Sequence, residues 1–83
     1  MPMNRSVLHA TKADEFAIWA VGRGYRRLPT AGLYEKLRIK RGDDPPMIFF
    51  QRDGCDHLTV QYRRPGQEDP SMLVRRWIRE RKS

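Results

Sequence analysis

The chain has 83 residues, a single cysteine and a formal net charge of +7. That length bounds it to one domain with a small core, since a chain of this size buries only about 60% of the surface its unfolded form exposes. One cysteine, Cys55, excludes an internal disulfide framework, and no apolar run approaches the roughly 18 residues of a membrane helix; the longest is Met47-Ile48-Phe49-Phe50.

Residues 1–10 show no clear period and read as an N-terminal arm or a short edge segment, with a single α+β domain over 11–83. The arm holds no apolar run of the kind a signal peptide needs, so the expected address is the cytoplasm. Thr11 is placed as a helix N-cap, with Asp14 three residues later in the capping-box position. Phe16, Trp19 and Ala20 recur at helical spacing, and Ile18 widens the stripe. Gly22 and Gly24 supply stop signals, so a helix is expected over 12–23. Residues 25–32, with Arg26, Arg27, Pro29 and Gly32, read as a basic loop.

Residues 33–41 alternate. Leu33, Glu35, Leu37 and Ile39 fall on one side and Tyr34, Lys36, Arg38 and Lys40 on the other, which is the period of a strand, while Leu33 and Leu37, also at i, i+4, leave a helix as the alternative. Gly42-Asp43-Asp44-Pro45-Pro46 breaks the chain. The apolar run 47–52 reads as a central strand, Asp53-Gly54 as a hairpin turn, and 57–64 as a third strand alternating Leu58, Val60 and Tyr62 with Thr59, Gln61 and Arg63. Asp69 then caps a last helix with Pro70 at its first position, where its missing N–H costs nothing. Leu73 pairs with Trp77 and Val74 with Ile78 along that helix. The expected architecture is one small α-β-β-β-α domain, a three-stranded antiparallel sheet with two helices packed on one face.

The charge directs the functional reading. Of 17 basic residues 13 are arginine, whose planar fork suits phosphates and carboxylates. With Leu33, Leu37, Ile39, Ile48, Phe50, Leu58, Val60 and Tyr62 turned toward the helices, the open sheet face carries Tyr34, Lys36, Arg38, Lys40, Phe49 and Arg63. Cations beside an exposed aromatic suit a single-stranded nucleic acid, the cations meeting phosphates and Tyr34 or Phe49 stacking on a base. Arg75 and Arg79 on the last helix offer a second basic surface, and Arg26 and Arg27 add to both. The competing reading of such rows is a solvated strand and a solvated helix back.

Gly54-Cys55-Asp56-His57 is the one stretch that invites an enzymatic or metal reading. Zinc needs three or four ligands and the only other histidine is His9, while a strand offers His57 no third group to orient it as a base. Glu35, in register with core-facing residues, would need a basic partner such as Arg23 or Arg27 if buried. No Walker loop, dinucleotide fingerprint or carboxylate pair is present. Neither a cofactor nor a metal is expected.

The α-β-β-β-α order resembles that of double-stranded RNA-binding domains and of small toxin ribonucleases. The first resemblance implies phosphate contacts from a Lys-rich start to the last helix, which here opens Asp69-Pro70-Ser71-Met72. The second implies a catalytic histidine after Gly-Ser in an early strand, a motif this sequence lacks.

The sequence thus leads to a non-catalytic module that binds DNA or RNA. The alternative is a small phage- or mobile-element-type inhibitor that docks on an acidic or nucleic-acid-binding surface of a larger complex. A three-stranded sheet leaves both edges open, which also leaves room for a homodimer. No membrane partner is expected.

Overall fold

A computed structural model describes residues 3–62 and 69–81. They form β1 (Met3–His9), a 3-10 turn (Ala10–Lys12), α1 (Ala13–Gly22), β2 (Arg26–Leu28), β3 (Glu35–Lys40), β4 (Met47–Gln51), β5 (His57–Tyr62) and α2 (Pro70–Arg81). The strands make one antiparallel sheet in the order β1-β5-β4-β3-β2, and both helices lie over one of its faces. Among the described residues no helix is long and apolar enough to cross a membrane.

The sheet has five strands where the sequence predicts three. The two additions are its edges. β1 occupies what reads as an arm or a short edge segment, and β2 what reads as a basic loop. Neither carries an alternating apolar pattern of its own. Each becomes a strand through the ladder it makes, β1 with β5 and β2 with β3.

The α1 start also differs. Thr11 sits inside the 3-10 turn and donates its backbone N–H to Nδ1 of His9 at 3.3 Å. The N-cap of α1 is Lys12, which makes no side-chain capping bond. The helix end follows the glycine signal closely. Gly24 has φ 99°, its N–H reaches the Val21 carbonyl at 3.1 Å, and the Tyr25 N–H reaches back to Ala20 at 3.1 Å. This is a Schellman close, and the residue after the glycine, Tyr25, packs into the core as that motif favours. At α2 the expected cap is present, Asp69 Oδ1 accepting the Ser71 N–H at 2.9 Å.

The core is centred on Phe16. Its ring lies 5.9 Å from that of Trp19, 5.7 Å from Phe49 and 5.6 Å from Trp77. Ala13, Ala17 and Ala20 let α1 sit close to the sheet, where Leu37, Ile39, Met47, Phe49, Leu58 and Val60 face it. On β4 this reverses the sequence expectation. Met47 and Phe49 point inward, and Ile48 and Phe50 lie half-buried on the open face. Four consecutive apolar residues carry no alternation, so their facing is set by register with β3 and β5. Ile18, expected to widen the apolar stripe, and Leu33, expected in the core, are 73% and 84% exposed.

Candidate functional site

The site is built around an irregularity in β3. Glu35 pairs with Phe50 and Leu37 with Phe49, so Lys36 is an extra residue with no partner across the ladder. Such a bulge resets the alternation. Glu35 therefore joins Arg38 on the open face, and is not directed into the core toward Arg23 or Arg27. Arg38 donates Nε–H at 2.9 Å and a terminal N–H at 2.7 Å to one Glu35 oxygen, and reaches the other at 2.9 Å. Most of this guanidinium's capacity is spent within the protein.

The expected basic row along β3 is divided as a result. Tyr34 and Lys36 lie at one end, where the Tyr34 carbonyl accepts the Gln51 N–H at 2.8 Å. They line an open hollow of about 270 Å³ together with Leu33, Gln51, Arg52, Asp53 and Gly54. Its floor is shaped by the β4–β5 turn, in which Gly54 has φ 78° and the Cys55 N–H closes on the Arg52 carbonyl at 3.0 Å. Tyr34 is 51% exposed. Among the described residues, neither Lys36 nor Arg52 has a carboxylate partner. At the other end of β3, Lys40 stands directly across from Arg26. Between the two ends the open face presents Leu28, Ile48 and Phe50, all half-buried.

Phe49 is wholly buried and unavailable to stack on a ligand; Phe50 is the aromatic of β4 that reaches the open face. Arg63 lies outside the described residues. Arg75 and Arg79 are exposed on α2, in the helix layer and so on the opposite side of the molecule from the open sheet face. Arg27, across from the buried Ile39, points to the helix side and bonds Asp14 of α1 at 2.9 Å.

Other cations hold the helices together. Glu80 of α2 accepts hydrogen bonds from the Arg23 guanidinium and from the Trp19 indole N–H, the latter at 3.2 Å. Arg23, then Trp19, hold its carboxyl below the ordinary range. Arg23 lies over Trp19, Arg81 over Trp77 and Arg41 over Tyr25, with guanidinium-to-ring distances of 5.3, 4.7 and 5.2 Å. The arginine excess is thus partly structural.

Cys55 and His57 are exposed. His57 sits across the ladder from His9 with ring centres 5.0 Å apart, and the Thr11 hydroxyl oxygen is 2.7 Å from His9 Nδ1. Among the described residues no three potential metal ligands come together.

Sequence reasoning missed Arg52 and Phe50. Arg52 directly precedes the Asp53-Gly54 turn, and a hairpin that folds back on Tyr34 would have brought it close. Compared with family models, with curated proteins and with solved structures, the chain matches none.

Proposed function

We propose that this domain binds single-stranded nucleic acid without catalysing a reaction, through the hollow at the bulged end of β3 and the open face beyond it. The observation that carries the reading is the grouping of Tyr34, half-exposed, with Lys36 and Arg52, two cations lacking a carboxylate partner among the described residues. The Tyr34 ring offers a base a stacking surface, and Lys36 and Arg52, in no ion pair among the described residues, offer phosphates positive charge, with Asp53 the one carboxylate that lines the hollow. Lys40 and Arg26 lie beyond the bulge on the open face, and meet a strand that passes from the hollow onto that face. Lys40 lies four residues beyond Lys36 on β3, about 13 Å at the rise of a strand, a span of roughly two nucleotides.

The test is fluorescence anisotropy with a labelled single-stranded oligonucleotide, in DNA and RNA forms. Four phosphate contacts on a single strand imply a salt slope near −3, so a fourfold rise in salt weakens binding by about fiftyfold. Replacing Lys36 and Arg52 together with alanine lowers the affinity and brings the slope to about half that value. Undiminished binding by the double variant would falsify the site.

A second reading, a small effector docking on an acidic or nucleic-acid-binding surface of a larger complex, is favoured by Leu33. It is 84% exposed beside Tyr34, and an aliphatic side chain there serves a protein partner better than a phosphate chain. In that reading the domain ignores oligonucleotides at every salt concentration.

A further inference from the structure

The β2 edge of the sheet is open, and α1 overhangs it. Ala13, Phe16, Ala17 and Ala20 of α1 face the core, and Trp19 and Arg23 turn toward α2. Asp14, Ile18 and Val21 recur at i, i+4 and i+7 on the remaining flank, the one above β2, as the Asp14–Arg27 ion pair confirms. Ile18 is 73% exposed and Val21 50%, an apolar ridge beside an edge strand.

We propose that this ridge and the β2 edge form a self-complementary surface on which a second copy of the chain docks about a two-fold axis through Arg27. This stands independently of the nucleic-acid reading. Antiparallel pairing of β2 with its copy places Arg26 opposite Leu28 on the open face, so no like charges meet there. On the helix side Arg27 meets its counterpart, but each arrives with its Asp14 carboxylate, whose side chain is 83% exposed. Two cations and two anions then alternate around the axis. Above them Ile18 and Val21 of one copy cover those of the other, removing both ridges from water. Because the axis is perpendicular to the sheet, both open faces lie on the same side of a continuous sheet.

Among the described residues, the β1 side of the molecule shows no such balance. The flank of α2 turned away from α1 carries Ile78 and the exposed Arg75, for which no carboxylate stands ready among the described residues. A two-fold there would bring arginine toward arginine uncompensated.

The experiment is sedimentation velocity on the full chain, freed of nucleic acid, over about a hundredfold range of concentration. A reversible monomer–dimer equilibrium is the expected result. Ile18→Lys is expected to weaken it at least tenfold with an unchanged far-UV circular dichroism spectrum, because Ile18 makes no part of the monomer core; Val21→Lys serves if that variant misfolds. Asp14→Arg and Arg27→Asp each weaken the dimer, and the double variant restores it. A monomer at every concentration, or a dimer indifferent to both Ile18→Lys and Val21→Lys, overturns the proposal.

Discussion

Glu35 and Arg38 are three residues apart on one strand, yet they share a face of the sheet and are joined by three hydrogen bonds of 2.7 to 2.9 Å. In an unbroken strand residues three apart point to opposite faces. The bulge at Lys36 brings them together, and with the same displacement sets Lys36 apart from Arg38 and Lys40.

The pair is asymmetric, and its variants should show it. The Glu35 side chain is 10% exposed and that of Arg38 is 27% exposed. Arg38→Ala leaves a largely buried carboxylate without its partner and should cost about 2–3 kcal/mol. Glu35→Gln keeps an acceptor and lets the arginine swing to water, and should cost about 1 kcal/mol. Urea unfolding of both variants at neutral pH measures the difference; equal costs would mean the carboxylate has other support.

Glu80 makes stability depend on acid. Its folded pKa lies below the ordinary value of 4.5, chiefly through the hydrogen bond from Arg23 and next through that from Trp19. A depressed carboxyl stabilises the fold above the unfolded pKa, and that contribution is lost as pH falls through the folded pKa. Glu80→Gln should therefore lower the urea midpoint at pH 7 and leave it closer to that of the parent in acid, once the pH has fallen through the folded pKa of Glu80. A difference that stays constant across this range would assign the effect to packing.

The two phenylalanines of β4 should separate sharply. Phe49→Ala opens a cavity against Phe16 in the core and should cost about 3–5 kcal/mol. Phe50→Ala, on the half-buried open face, should cost less than half as much and leave the far-UV circular dichroism spectrum intact. Comparable losses from the two would contradict the register of β4 with β3.

The two basic surfaces lie in different layers, so a short oligonucleotide on the open face does not reach α2. Arg75→Ala combined with Arg79→Ala should leave its affinity and salt slope within about twofold of the parent, against about tenfold weaker binding for the Lys36/Arg52 double variant. Anisotropy titrations at one low salt concentration suffice. The opposite pattern would move the interface to the helix layer.

Where local chemistry alone decides, the sequence was sufficient. Asp69-Pro70 starts α2, Gly24 closes α1, Asp53-Gly54 turns the hairpin between β4 and β5, and the alternation of Leu37 with Ile39 and of Leu58 with Val60 marks inward faces. Each of these signals acts within a few residues, through a cap, a positive φ or a side-chain period. Both helices on one face of an antiparallel sheet follow from them.

Tertiary structure decided what depends on a neighbouring strand. β1 and β2 have no pattern of their own and exist because β5 and β3 offer unpaired backbone groups at their edges. The facing of Met47 to Phe50 is degenerate in an all-apolar run and is chosen by cross-strand register. The bulge at Lys36 is one extra residue measured against β4, a quantity that has no value along a single chain. That residue rotates Glu35 onto Arg38, divides the basic row, and leaves Lys36 beside Tyr34 and Arg52.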